Sequence, residues 1–277
     1  MSKQNWSDDK LLDRLMHSKS ERNRWDNIQV LWRRPSETLF TKCVALSQSD
    51  EPKNRRIGID ILSQFGFAPR PFLRQSITLY FELLETEKDS NVLSSLLCAI
   101  GHNNDILSIP QIEKLCSFKC TNDELIKQGL VSAIGFISNK NAIDVLIKLS
   151  ADKSNYIRDW ATFYLAQGRR NNEKIRTALW ARIADKHQDT KFEAIVGLAK
   201  RKDRRVTDII KRILLHGKYG TLLFEAIEEL NDEQFLPLLQ QNLESVKDDD
   251  SINSIWLKEL QKCIEKLKNK RIYRIVG

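Results

Sequence analysis

Pairs of apolar residues recur along this 277-residue chain at a nearly constant spacing. Within each pair the two residues are four positions apart, so both lie on one face of a helix. Successive pairs are 31 to 35 residues apart and begin at Ile28, Ile61, Leu96, Leu130, Ala161, Ala194, Ala226 and Leu260. A period in this range is typical of a stacked repeat array, because each unit can bury its apolar face only against its neighbours. We therefore predict one elongated domain over residues 1–270.

Turn-forming residues divide each period into two helices. Pro35 predicts the end of one helix, and Ser36 predicts the N-cap of the next. The fifth unit is predicted to pair residues 142–150 with 156–167, and the sixth to pair 174–184 with 191–201. The sequence thus predicts an all-α fold of about eight helical hairpins, followed by a short, basic and β-leaning C-terminal tail at residues 271–277.

Composition narrows the class of protein. With 41% hydrophobic and 30% charged residues, the chain has enough apolar material for a core and is predicted to fold. Residues 1–9 lack the apolar core of a signal peptide, and no apolar run is long enough to cross a bilayer. The five cysteines are an odd number spread over separate units, which argues against a disulfide framework. We therefore expect a cytoplasmic protein that does not contact a membrane.

Charge is distributed unevenly along the chain. Residues 151–220 contain 17 basic and 8 acidic side chains, whereas residues 221–260 contain 2 basic and 10 acidic ones. A basic pair of units is therefore followed by an acidic one. Such a step in charge could orient a bipolar partner or let two copies associate head to tail, and the alternative is a charged surface without a function. The oligomeric state stays open.

The segment Asn155–Ala166 resembles the second helix of a bacterial HEAT-repeat unit, in which an acidic turn and an aliphatic residue precede Arg, and Ala and Leu follow four apart. Residues 175–185 and 192–203 are similar to the next unit of that family, and the specific match covers about residues 139–215. The resemblance implies an armadillo-type fold, a right-handed α-α superhelix of about eight HEAT-like hairpins. It also implies that the second helices line a concave surface, which in this family mostly holds other proteins.

The arginine of the HEAT-like motif stands at Arg158 and is replaced by Lys127 and Lys191 in neighbouring units. The register of the apolar pairs places Gly58 and Leu93 at the corresponding positions of the earlier units. Residues that recur at one helical position would form a basic ladder able to bind an acidic protein surface. The alternative is that they pair with acids of adjacent turns, such as Asp185, and bridge the repeats.

The densest basic feature is the run from Lys200 to Arg205. Clusters of this kind commonly bind phosphate groups, although no aromatic residues alternate with these charges and no Gly-rich phosphate loop is present. A solvated loop between repeats is the alternative. The candidate partner-binding residues are Lys127, Arg158, Asp159, Lys191, Arg169, Arg170, Arg201, Lys202, Arg204 and Arg205.

Enzymatic chemistry has little support in the sequence. Some HEAT-like proteins are DNA glycosylases that hold an alkylated base with Trp and Asp, and Asp159 and Trp160 invite that comparison. However, the spacing of Trp160 from Ile157 and Tyr164 predicts that its ring faces the core. No nucleophile constellation, cofactor motif or metal-ligand spacing is recognisable.

The prediction is therefore a non-enzymatic protein-binding scaffold or adaptor, of which an inhibitor or immunity protein is one form. It would bind a protein partner with an acidic surface through its fourth to sixth units. The alternative is a nucleic-acid-binding HEAT-like protein, including an alkylated-base glycosylase.

Overall fold

The protein is built from α-helices throughout the part of the chain that the structure describes. The computed structural model describes residues 3–18, 20–67, 69–216 and 219–276, with side chains described up to residue 269. The helices are α1 (Asp8–His17), α2 (Glu21–Trp32), α3 (Glu37–Ser47), α4 (Pro52–Leu62), α5 (Leu73–Thr86), α6 (Ser90–Gly101), α7 (Ile109–Cys116), α8 (Glu124–Ala133), α9 (Lys140–Leu149), α10 (Asn155–Gln167), α11 (Glu173–Trp180), α12 (Gln188–Lys200), α13 (Thr207–His216), α14 (Leu222–Leu230), α15 (Leu236–Val246) and α16 (Ser254–Val276). No β-strand occurs within those residue ranges. The predicted all-α fold of eight helical pairs is confirmed.

The chain divides into two compact units, residues 1–146 and 147–277. The single array predicted over residues 1–270 stays a prediction. The last helix, α16, continues to Val276, so the backbone of the predicted tail is helical rather than extended. The side chains of residues 271–277 lie outside the described residues, so the tail's basic surface stays a prediction.

In the first unit, the second helices of successive hairpins pack against each other, α2 on α4, α4 on α6 and α6 on α8. The first helices cover them from within each hairpin, as α3 does for α4 and α5 for α6. The residues that defined the repeat, Ile28, Ile61, Leu96 and Leu130, are completely buried. The period therefore marks the contacts between repeats, as the stacked array requires.

The second unit follows the same plan. Helix α10 packs on α12, α12 on α14, and α14 on α16. The defining residues Ala161, Ala194, Ala226 and Leu260 are again completely buried. Small alanine side chains at three of these four positions allow the helix axes to approach closely.

Polar caps fix where the helices begin. Ser36 accepts a hydrogen bond from the Leu39 amide at 3.2 Å and caps α3, as predicted. Asp89, in the turn between α5 and α6, accepts from Asn91 and Val92 and caps α6 in the same way. Each cap satisfies amide groups that the helix itself leaves without a partner.

None of the described helices combines the length and the apolar character needed to cross a membrane.

Gly58 permits the close packing of α4 against α3. An added Cβ at this position would lie 2.7 Å from the amide nitrogen of Ser47 and would also overlap the carbonyl of Cys43. Both obstacles include backbone atoms, which cannot rotate away as a side chain can. Gly58 thus has a steric role. The register of the apolar pairs had aligned this position with the arginine of the HEAT-like motif.

We expect Gly58→Ala to lower the free energy of unfolding by about 1 to 3 kcal/mol, because overpacking forces the backbones of α3 and α4 apart. Gly220→Ala is the matched control, since a Cβ there meets no atom within 4 Å. Urea denaturation of both variants measures the difference. Equal stability of the two variants would contradict the steric role of Gly58.

Candidate functional site

Arg158, the central residue of the predicted basic ladder, is held in a bridge between two repeats. Its Nε donates to Asp185 Oδ2 at 2.8 Å, and its Nη2 donates to Asp185 Oδ1 at 3.0 Å. The other N–H groups reach the carbonyls of Asp152 at 2.8 Å and Lys153 at 3.3 Å, and Asn155 Oδ1 at 2.7 Å. These five bonds use the whole donor capacity of a guanidinium group. Arg158 therefore bridges two repeats, which was the alternative to its place in a partner-binding ladder.

The first unit contains a second copy of this bridge. Arg55 donates to both carboxylate oxygens of Glu87, at 2.7 and 3.0 Å, and to the carbonyls of Ser49 and Asp50. Arg55 and Arg158 are each the fourth residue of their helix. Arg55, and not Gly58, thus occupies the motif position. The apolar register is three residues off in α4, and only the observed helix starts, Pro52 and Asn155, align Arg55 with Arg158.

The carboxylates of both bridges are stabilised in their ionised form. Burial acts to raise the pKa of Asp185, but hydrogen bonds from Arg158 and from the backbone of His187 outweigh it and lower the pKa. For Glu87 burial is likewise outweighed, by Arg55 and by two backbone amides, and its pKa is lowered too. Both pairs therefore remain charged near neutral pH.

Arg201, another predicted binding residue, is buried and holds the end of α10. Its Nη1 donates to the carbonyls of Ala166 at 2.9 Å and Gly197 at 2.8 Å. Its Nη2 donates to the carbonyls of Leu165, Gly168 and Arg170. Burial, followed by the nearby charge of Arg176, lowers the pKa of Arg201 to about 10. A cation favours the carbonyl end of a helix, so Arg201 acts as a cap on the neighbouring repeat.

Asn103 has the equivalent place in the first unit. Its Nδ2 donates to the carbonyls of Ser63 at 2.9 Å and Ala99 at 2.8 Å. It therefore ties the end of α4 to α6 as Arg201 ties the end of α10 to α12. Just after the second helix, this residue is therefore Asn103 in one repeat and Arg201 in another, but both make the same kind of contact.

Three further basic residues of the run, those that follow Arg201, face carboxylates. All three are largely exposed, and the pairs are Lys202 with Glu229 at 3.6 Å, Arg204 with Asp232 at 3.1 Å, and Arg205 with Asp203 at 2.6 Å. The Arg205 guanidinium also lies 4.6 Å from the centre of the Trp180 ring. Much of the positive charge of this run is therefore balanced locally.

The remaining candidates are spread over separate helices and turns. Arg169 and Arg170 are exposed after the end of α10, whereas Lys127 and Lys191 are half-buried near the starts of α8 and α12. The Lys191 amine lies 5.6 Å from the centre of the Phe192 ring. These candidates differ in exposure, and a continuous basic ladder stays a prediction.

The exposed face of α10 is aromatic. Trp160 is 38% exposed and Tyr156 is 53% exposed, which corrects the prediction that Trp160 faces the core. The centre of the Trp160 ring lies 6.2 Å from that of Tyr156, 5.5 Å from Phe163 and 5.8 Å from Tyr164. We call these four side chains the aromatic face. Its residues follow helical spacing, so the signal was present in the sequence.

The apolar face of α10 is narrower than predicted. Ile157, Ala161 and Leu165 are buried, whereas Tyr164, whose helical spacing from Ile157 also predicts a core position, is only half-buried. Three small or aliphatic residues are sufficient to cover this side of the helix against α12. The aromatic residues project from the remaining surface.

Acidic groups adjoin the aromatic face. Asp159, half-buried on α10, accepts a hydrogen bond from Thr190 Oγ1 at 3.3 Å. Glu193 on α12 is half-buried, and its Oε2 is buried without a hydrogen-bond partner. Burial, followed by the charges of Asp159 and Glu225, raises the pKa of Glu193 to about 7. The sequence analysis missed Glu193 because its setting depends on residues in three helices.

Asp159, His187 and Asp189 place one potential ligand atom each within 4.8 Å of one another. The sequence analysis expected no metal site, since the histidines are isolated along the chain. His187 Nδ1 accepts a hydrogen bond from the Thr190 amide and caps α12. This capping bond accounts for the position of the imidazole without an ion.

No family model matches the chain. It is 32% identical over 150 residues to Protein YibA of Escherichia coli K12 and equally to that of strain O157:H7, an alignment that covers 54% of this chain. The alignment spans about half the length of these curated relatives. The X-ray structure of E. coli YibA aligns with 96% of this chain and 94% of that chain, with a TM-score of 0.74 and 24% identity. The two proteins therefore share a fold.

We expect Arg158→Lys to lower the free energy of unfolding by about 1 to 3 kcal/mol, because an ammonium group cannot replace the paired bonds to Asp185. Arg169→Lys, at an exposed position, makes the same chemical change and should have almost no effect. Thermal and urea denaturation measure both. A stable Arg158→Lys variant would show that the bridge does not hold the repeats together.

The raised pKa of Glu193 has a consequence for stability. Between its ordinary pKa near 4.5 and about 7, the folded protein retains a proton that the unfolded chain has released. The free energy of unfolding therefore falls as the pH rises through this range. Glu193→Gln removes the buried charge and should stabilise the protein at pH 8 by about 1 to 2 kcal/mol after allowance for solvent screening, with little effect at pH 4.

Urea denaturation at both pH values tests this expectation. Glu244→Gln is the control, because Glu244 is exposed and its pairing with Lys247 lies on the surface. A Glu193→Gln variant that is less stable at pH 8 would mean that the ionised carboxylate is favourable in the folded protein.

Proposed function

We propose that the protein is a non-enzymatic, HEAT-like binding protein that holds a protein partner on the aromatic face of α10 and the adjoining surface of α12. The observation that carries this proposal is the exposure of Tyr156 and Trp160 within a group of four contacting rings. The proposal covers scaffold, adaptor, inhibitor and immunity roles alike, since each requires a binding surface. Five free thiols fit the cytoplasm, which we include in the proposal.

Exposed aromatic groups of this kind are unusual on a surface helix. The solvent side of such a helix is normally charged or polar, because apolar side chains there gain nothing from folding. Tyr, Trp and Phe are instead enriched where proteins bind each other, and they supply a large part of the binding free energy. The surface of α10 therefore has the composition of the centre of an interface.

The arginines are assigned a different part in this proposal. Arg158 and Arg201 join neighbouring repeats, and their donors are directed into the protein. A basic ladder that binds an acidic surface would therefore lack Arg158 and Arg201. The aromatic face takes their place as the main contact, within the fourth to sixth units that the sequence indicated.

Nucleic-acid binding is the alternative that the same experiment distinguishes. Bases stack on exposed aromatic rings, but they bring phosphates with them. Asp159 and Glu193 beside the rings would repel those phosphates, and carboxylates already balance the nearby basic run. These charges favour a protein partner.

We expect the photoreactive residue p-benzoylphenylalanine, placed at Tyr156, to cross-link one protein in cells of the source organism, because position 156 lies within the interface. The same residue at Ile255, which is 67% exposed on α16, is the matched control. Adding Trp160→Ala to the Tyr156 variant should reduce the adduct at least fivefold. Mass spectrometry identifies the adduct after nuclease treatment.

Equal adducts at both positions would contradict a specific surface on α10. Loss of the adduct on nuclease treatment would show that the surface binds nucleic acid instead. Retention of the full adduct in the Trp160→Ala variant would show that the aromatic ring does not contribute.

A further inference from the structure

The aromatic face borders a group of carboxylates. Asp159 is three residues after Tyr156 and four before Phe163, so it lies on the same side of α10. Glu193 interacts electrostatically with Asp159 and with Glu225 of α14. One edge of the aromatic face is therefore negatively charged.

The basic groups near this edge are largely engaged elsewhere. The Lys200 amine lies 2.8 Å from Glu225, and it also donates to Gln167. Lys191 lies against the Phe192 ring. Glu193 Oε2, by contrast, is shielded from solvent and accepts no hydrogen bond. Lys200 offsets part of the charge of Glu193, and Arg158 offsets part of the charge of Asp159, so the edge is negative but partly balanced.

We infer that the partner presents a basic segment whose arginine or lysine lies across the aromatic face and reaches Asp159, within the field of the Glu193 carboxylate. This inference rests on the proposed function and names the chemistry of the partner. An arginine suits the site best, because its planar guanidinium stacks on an aromatic ring while its N–H groups bind carboxylates. The partner is therefore basic, opposite in charge to the one that the basic ladder predicted.

Binding of a cation at this edge depends on pH in a defined direction. The pKa of Glu193 is about 7, so the carboxylate is mostly protonated at pH 6 and mostly ionised at pH 8. The groups that face it are Asp159 on α10, Lys200 on α12 and Glu225 on α14. Protonation of Glu193 therefore weakens attraction to a basic segment at pH 6.

The test uses the full chain and two fluorescently labelled dodecapeptides that share their leucine and alanine positions. One peptide has four arginines at the remaining positions, and the other has four glutamates. Fluorescence polarisation gives the dissociation constants at pH 6 and pH 8. We expect the arginine peptide to bind at least tenfold more tightly than the glutamate peptide at pH 8, and its affinity to fall at least threefold at pH 6.

Two substitutions locate the binding. Glu193→Gln should weaken binding of the arginine peptide about fivefold at pH 8 and reduce its pH dependence, while the control Glu244→Gln leaves both unchanged. Trp160→Ala should weaken binding at both pH values. Circular dichroism checks that each variant keeps its helical content.

The inference is overturned if the glutamate peptide binds as tightly as the arginine peptide, or if the arginine preference survives both Glu193→Gln and Trp160→Ala. In either case, a cross-link from position 156 to a protein would still support the proposed function, which is therefore tested independently of the charge of the partner. Cross-linking of position 156 to a second copy of this chain would also overturn the basic partner and assign the face to self-association.

Discussion

The contact between the second helices of neighbouring hairpins is the constraint on which each unit of this protein depends. No single hairpin has enough apolar surface to form its own core, and so Ile61 or Ala194 is buried only because the next repeat covers it. Apolar contact alone fixes the spacing of two helices better than their alignment along the axis. The polar contacts at the two ends of the helices provide that alignment.

Two kinds of polar contact divide this work. At the start of a second helix, Arg55 or Arg158 binds a carboxylate in the turn before the next second helix. At the other end, Asn103 or Arg201 binds the carbonyl groups that close the previous one. A slip of either helix along its axis would break bonds at both ends together. Arg55, Arg158 and Arg201 thus serve internal geometry, and the surface proposed for recognition is defined by other residues.

The sequence was sufficient to predict the helical pairs and the buried positions, because a periodic apolar pattern is a local signal that any stacked repeat must carry. It failed where one position has two explanations. Trp160 lies next to Tyr164 on the helical wheel, on the side away from Ile157, and whether it faces inwards depends on how much of α10 its neighbours cover. Arg158 has the same chemistry in a ladder and in a bridge, and only the position of Asp185 decides between them. The charge state of Glu193 arises from α10, α12 and α14 together, so no local pattern encodes it.

Arg201 lies one residue beyond the last residue of α12, yet its bonds close α10, a helix that ended more than thirty residues earlier. The completeness of one repeat is therefore encoded in the sequence of the next. A fragment cut at the visible end of a hairpin would keep every residue of α10 and still leave its terminal carbonyls open to water. Boundaries for shortened or recombined forms of this protein belong after the capping residue of the following repeat, rather than at the turns where its helices end.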